Sequence, residues 1–282
     1  MKHSKYRVLW QRFCRHKVAV VCLVLLVLLI LMAVLAPWVA PYSPTRPTGK
    51  FSQPPTPEHI LGTDKVGRDM FSRILYAMRS SLLVGFMATL VSTLVGVALG
   101  LISGYFGGAV DKAVMSFTDM VMSFPYILLV LVAAAIFPPG LWTIILILGF
   151  VDWPGVARLV RGNVLSLRET NFVKADLTAG MPRRYILFSE ILPNTIAPVL
   201  VYATSVFALS ILDEAALSFL GMGVQPPTPS LGNILSGAES LSILTGKPWL
   251  WIPAGTTIIL LVMCINFVGD ALRDAFDPRN EG

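Results

Sequence analysis

Val18-Ala-Val-Val-Cys-Leu-Val-Leu-Leu-Val-Leu-Leu-Ile-Leu-Met-Ala-Val-Leu-Ala36 is an uninterrupted apolar run of 19 residues. As a helix rising about 1.5 Å per residue it reaches about 28 Å, close to the hydrocarbon thickness of a bilayer. The run therefore reads as a membrane span. Six basic residues precede it, Lys2, Lys5, Arg7, Arg12, Arg15 and Lys17, which is also how a secretory signal begins. The run exceeds a usual signal core, however, and Pro37 follows it directly, so it is read as an uncleaved first span.

Beyond it the chain stays apolar. Of its 282 residues 55% are hydrophobic and 13% charged, with a mean hydropathy of +0.72, whereas a soluble domain has about a quarter of its residues charged. Further spans are predicted near 82–104, 114–137, 141–160, 196–212 and 250–269, giving an all-α polytopic protein of six transmembrane helices. An even number puts both termini on one side. If that side is the cytoplasm it holds fifteen of the Lys and Arg residues and the other side seven, so the positive-inside bias places both termini inside. The vote is diluted by six basic residues between Arg46 and Arg79, all on the outer side. Basic residues flank spans throughout and form no basic helical face with interleaved aromatics, so nucleic acid is not a predicted partner; the lipid bilayer is.

The composition excludes several chemistries. Cys14, Cys22 and Cys264 form no CxxC pair, and His3, His16 and His59 form no HExxH motif, so neither a disulfide framework nor a zinc site is predicted. No Walker A pattern occurs, Gly246-Lys247 being followed by Pro248. If ATP is used, another chain binds it.

The second span carries Ala88, Ser92, Gly96, Gly100 and Gly104 at intervals of four, a stripe of small side chains where another helix can approach closely, either within this chain or in a partner subunit. Before it, Pro37, Pro41, Pro44, Pro47, Pro54, Pro55 and Pro57 predict an extended external stretch. Met70, Ile74, Leu75 and Met78 then share one helical face, which predicts an interfacial helix.

Between the fourth and fifth spans lies Phe172-Val-Lys-Ala-Asp-Leu-Thr-Ala-Gly180-Met-Pro182-Arg-Arg-Tyr-Ile-Leu-Phe-Ser-Glu-Ile-Leu-Pro193-Asn. Gly180 suits a helix C-terminus, Pro182 the first turn of a new helix and Pro193 the entry to the next span. Two short helices meeting at a tight turn, presenting Ala175, Leu177 and Met181, form a knob a partner protein could grip; the other reading is a solvated loop whose charges set topology.

This loop resembles that of the inner-membrane permeases of binding-protein-dependent ABC importers, with a Glu-Ala-Ala-x3-Gly-x12-Leu-Pro-like spacing kept by Ala175, Gly180 and Pro193. Lys174 stands where the family usually has Glu, Asp176 where it usually has Ala, and Glu190 where His or an apolar residue is frequent. Resemblance to the oligopeptide/dipeptide/nickel branch covers nearly the whole chain, in Leu61-Gly-Thr-Asp-x-x-Gly-Arg-Asp69 with Ser72-Arg73, Gly104-Tyr-Phe-Gly-Gly108 with Asp111, Arg158-Leu-Val-Arg-Gly162, Leu217 to Pro229, and Gly269 to Pro278. It implies the type I importer permease fold, in a bacterial or archaeal cytoplasmic membrane. It also implies a peptide permease subunit without catalysis of its own, or alternatively one for nickel or another small solute. The partners implied are a second homologous permease, two ABC ATPase subunits that bind ATP and Mg, and an external solute-binding protein. No cofactor is expected in this chain. The ATPase-coupling residues implied are Lys174, Ala175, Asp176, Gly180, Met181, Arg183 and Arg184.

The organisation expected is a cytoplasmic N-terminus (1–17), the first span (18–36), an external loop with an interfacial helix (37–81), a permease core (82–270) and a cytoplasmic C-terminus (271–282). The core holds five spans, the coupling loop 161–193 and an external re-entrant segment 215–236. Three acids are candidates for lining a pathway. Asp152 sits inside the fourth span, where an ionised side chain costs about 2.5 to 3.5 kcal/mol unless it faces a polar interior. Asp213 and Glu214 close the fifth span, facing an external vestibule, capping a helix or bridging helices. Asp119 and Asp270 are read as structural. A secondary transporter would need no ATPase, and an intramembrane enzyme would need a catalytic constellation that is not seen.

Overall fold

The computed structural model describes residues 10–238 and 240–276; the predicted cytoplasmic stretches at 1–9 and 277–282 lie outside the described residues. The helices are α1 (Lys17–Val34), α2 (Met70–Phe106), α3 (Gly108–Ser123), α4 (Tyr126–Ile136), α5 (Leu141–Arg168), α6 (Asn171–Thr178), α7 (Leu192–Phe219), α8 (Leu231–Ser236), α9 (Leu241–Gly246) and α10 (Ile252–Phe276), the long ones following the apolar runs. In lipid every backbone polar group must be satisfied locally, and the helix does this. Among the described residues five helices are long and apolar enough to span, or six if α3 and α4 count as one broken span.

That break corrects the continuous third span expected over 114–137. Pro125 pushes the preceding Phe124 to an extended backbone (φ −81°, ψ 140°), ending α3, and α4 leaves at 88° to it.

The expected interfacial helix is not separate either. It is the first part of α2, which runs 37 residues from Met70. Met70, Ile74, Leu75 and Met78 are buried against α1, α7, α8 and α10 instead of lying on lipid, so the permease core begins near residue 70 rather than 82. The motif before it builds the knot that starts this helix. Asp69 caps α2, accepting from the Ser72 N–H and hydroxyl at 2.8 Å each, while His59 Nδ1 lies 2.9 Å from its other oxygen. Asp64 ties the turn, accepting from the Val66 and Arg68 amides at 2.9 Å.

The axis of the fold is the pair α2 and α5. A Cβ on Gly96 would lie 2.5 Å from Val156 Cβ, on Gly100 2.6 Å from the Ala157 carbonyl oxygen, and on Gly104 2.8 Å from Val164 Cβ. The small-residue stripe is thus spent inside this chain, leaving the backbones of two helices in near contact. Ion pairs hold the broken span to the same α5: Arg161 donates to both Asp111 oxygens at 2.6 Å, and Arg158 pairs with Asp119. This accounts for two of the motif stretches and bears on Asp119, which is a helix-bridging residue.

The first and last described stretches meet. Phe13 and Ala19 pack with Ala271 and Ala275, and His16 Nε2 lies 3.5 Å from Asp274. After α7 a left-handed turn at Gly221 (φ +78°) reverses the chain into α8, whose start is a capping box of Ser230 and Asn233. Leu231, Gly232 and Ile234 of α8 are buried in protein, and the helix before this segment runs to Phe219.

Candidate coupling loop and bundle acids

Helix α6 is held down by one side chain. Val173 is fully buried with Tyr105, Val160, Val164 and Ile186, and the rest of the helix faces outward. Gly180 adopts φ +75°, its N–H donates to the Leu177 carbonyl at 3.1 Å, and the Met181 N–H donates to the Asp176 carbonyl at 3.0 Å. These two bonds close a helix end that only glycine enters without strain. Pro182 is then the N-cap of the next turn, one position earlier than expected.

The second short helix expected here is not free. Arg183–Tyr185 continues through a π-helical turn (Ile186–Ile191) into α7, forming one 37-residue helix from Arg183 to Phe219. Pro193 has no N–H to donate, and the wide turn just before it absorbs the missing bond. The turn after Pro182 is therefore continuous with a long apolar helix. On the other side α5 continues to Arg168, so the connector proper begins at residue 169 instead of 161.

The exposed surface of this knob carries Phe172, Leu177, Met181 and Tyr185, with Lys174, Ala175, Arg183 and Arg184 exposed beside them and Asp176 half-buried. Lys174 Nζ sits 2.9 Å from Glu169 and holds that carboxyl below the usual carboxylate range by its hydrogen bond. Beneath the loop a cavity of about 190 Å³ is lined by Tyr105, Phe106, Arg168, Val173, Leu177 and Arg183. Arg168 donates to the Gly104 carbonyl at 3.0 Å there. An apolar tip with a basic rim has the composition of a docking surface.

The three bundle acids separate. Asp152 lies on a cavity of about 210 Å³ with Tyr126, Pro154, Gly155 and Tyr202, at the break between α3 and α4. Its buried Oδ2 has no hydrogen-bond partner among the described residues. Asp213 accepts from the Tyr126 hydroxyl at 2.8 Å, so Tyr126, which also lines the Asp152 cavity, ties α4 to α7 at this break. Neither tyrosine stands out in the sequence, because an aromatic in an apolar run carries no periodic signal.

Of the roles open to Glu214, the structure shows the one that bridges helices. It is fully buried and accepts from Ser81 at 2.6 Å and from Ser218 at 2.7 Å. Ser81 and Ser218 in turn accept from the Leu231 and Val224 amides at 3.3 and 3.0 Å. Glu214 thus ties α2, α7 and the re-entrant segment together. Glu214→Ala strands two buried hydroxyls and is expected to cost about 2 to 4 kcal/mol, read as a lower thermal midpoint of the purified protein, with Glu214→Gln well milder. Equal midpoints for wild type and Glu214→Ala would refute this role.

Residues 96–282 match the model of the binding-protein-dependent transport system inner membrane component, and residues 4–55 match the N-terminal transmembrane domain of oligopeptide transport permease C. The chain belongs to the binding-protein-dependent inner membrane component family. It is 40% identical to the oligopeptide transport system permease protein OppC of Haemophilus influenzae, covering 97% of this chain and 90% of that one. It is 42% identical to the dipeptide transport system permease protein DppC of Alkalihalophilus pseudofirmus over 84% and 77% of the two chains. A glutathione transport system permease protein, GsiD of Pectobacterium atrosepticum, is 37% identical over 98% and 92%. The fold is that of the membrane subunit in the inward-facing MetNI methionine ABC transporter, with a TM-score of 0.61 over 74% of this chain and 98% of that chain at 18% identity. As an inner membrane component it is a multi-pass transport subunit, and α5 and the glycines of α2 that it packs against, Gly96, Gly100 and Gly104, fall within the matched region.

Proposed function

We propose that this chain is one of two permease subunits of an ATP-driven importer of peptides. The observation that carries the reading is the knob at Gly180: an outward-facing helix end, rigid on both sides, that leads without interruption into a membrane span. ATP and Mg bind in two separate ATPase subunits, which grip Lys174 to Arg184. Closure of those subunits pushes the knob, the joined helix Arg183 to Phe219 moves as a bar, and the two permeases rock so that the cavity opens outward. The relatives transporting peptides support the substrate class, and the external solute-binding protein presents the peptide. Asp152 and Asp213, both beside Tyr126 at the broken span, line the path, where their negative charge suits a peptide's amino terminus.

Both termini lie in the cytoplasm in this reading. Reporter fusions after residues 50, 110, 175, 230 and 280 are expected to read outside, inside, inside, outside, inside; residue 230 reading inside refutes the topology. Co-purification tests the function: the chain is expected to bring down an ATPase and a second permease. Peptide uptake by the chain purified alone would instead identify a secondary transporter.

A further inference from the structure

At the start of α2, far from the coupling knob, a cation is buried without hydrogen bonds. Arg73 is 4% exposed, yet its Nε and Nη1 have no hydrogen-bond acceptor among the described residues. The nearest acid is Asp64, whose Oδ2 lies 3.6 Å from Nη1, beyond hydrogen-bond range. Asp64 is already committed to the Val66 and Arg68 amides and to Arg68 Nε at 2.7 Å. Arg73 lies on a cavity of about 130 Å³ shared with Lys65, Arg68, Asn233 and Gly237, where three cations face one carboxylate. The Asn233 amide is spent on the Val224 and Thr228 carbonyls, so the buried donors left for a ligand are those of Arg73.

A buried guanidinium with idle donors is costly unless an anion engages it, and its fork matches a carboxylate in two parallel bonds. The mouth of the cavity is at the surface, beside the exposed Lys65 and Val66. Arg73 is 31 residues before Gly104 on one continuous helix, about 46 Å along its axis, so the cavity and the coupling knob lie on opposite sides of the membrane. Around it, residues 46–79 hold six Lys and Arg against three Asp and Glu, on the side where topology disfavours basic residues.

The geometry points to a carboxylate receptor: Arg73, with Lys65 and Arg68 at its mouth, takes one acidic side chain of the external solute-binding protein when it docks. This rests on the importer reading above. The basic excess of the outer loop then serves to attract an acidic face, which steers association.

The test uses the whole importer in nanodiscs and its solute-binding protein, with docking affinity as the readout. Wild type must first bind that protein and hydrolyse more ATP in its presence; failure there sinks the importer reading and this site with it. Arg73→Gln is expected to raise the docking Kd about tenfold or more and Lys65→Gln about twofold. In a scan of the binding protein's Asp and Glu to amides, one change is expected to match the loss from Arg73→Gln and to add nothing on top of it. Should Arg73→Gln fail to assemble, Arg73→Lys, which keeps the charge and loses the fork, is expected to raise Kd severalfold and to show the same non-additivity. Glu239→Gln, two residues past Gly237 in sequence, is the control for a carboxylate of this chain and is expected to dock as wild type. Wild-type docking by the Arg73 variants, no coupled acid in the scan, or a loss in Glu239→Gln that does not add to that of Arg73→Gln each overturns the assignment.

Discussion

Gly180→Val is expected to leave membrane insertion intact while cutting ATP-driven uptake about 5- to 30-fold in reconstituted vesicles. The cause is backbone geometry alone. Gly180 holds φ +75°, and a Cβ there meets no atom within 4 Å, so no side-chain clash contributes. An L-residue at that φ costs about 1–2 kcal/mol, a factor of about 5 to 30 in the population of the native turn. Relaxing φ breaks the bonds from Gly180 and Met181 to Leu177 and Asp176 and swings α6 away from the helix that begins at Arg183. The variants should therefore rank by tolerance of left-handed backbone: Asn mildest, Ala next, Val worst. Arg183→Ala, on the exposed side of the same loop, should change coupling by no more than about 1 kcal/mol. Uptake and ATP hydrolysis are measured together; wild-type coupling in Gly180→Val would mean that the loop only connects spans and bears no load.

The turn behind that prediction is largely legible in the sequence, and the reason is chemical. Gly180, Pro182 and Pro193 each have a backbone requirement that local order states outright. The spans are legible for the same kind of reason, since lipid demands long apolar helices whatever their partners. The features that escape a sequence reading are set by neighbours distant along the chain. Met70, Ile74, Leu75 and Met78 make the same stripe whether they face lipid or protein, and only the presence of α1, α8 and α10 around them decides. Glu214 reads as a vestibule acid, a cap or a bridge until Ser81, 133 residues away, is brought to its carboxylate. The third span looks continuous because its composition is apolar throughout; Pro125 alone marks the break, and kinked membrane helices commonly retain a proline without breaking. Asp152 is visible as costly in lipid, but its neighbours Tyr126 and Tyr202 are not.

The largest structural effect is expected at the α2–α5 contact, where adding one methyl group suffices. A Cβ on Gly100 would stand 2.6 Å from the Ala157 carbonyl oxygen and 2.7 Å from Val160 Cβ. Both are parts of a helix that cannot yield by rotating a side chain, because one is backbone and the other is the branch point of a fully buried valine. The helices must separate, and that loosens Gly96 and Gly104 one turn away on either side, which rest on the same neighbour. Overpacking of this kind costs about 1–3 kcal/mol for a small group, and Gly100→Leu, which adds three carbons more, should prevent assembly altogether. Gly162 supplies the control. It lies on α5 itself, two residues past Val160, with nothing within 4 Å of its would-be Cβ. Gly162→Ala should therefore leave the thermal midpoint unchanged or raise it, since alanine favours the helix by about 0.5–1 kcal/mol over glycine. Glycine-to-alanine exchanges on two touching helices are thus expected to have opposite signs. The measurement is complex yield and thermal midpoint of the detergent-purified protein. Equal values for Gly100→Ala and Gly162→Ala would show that the close approach of α2 and α5 does not hold the bundle together.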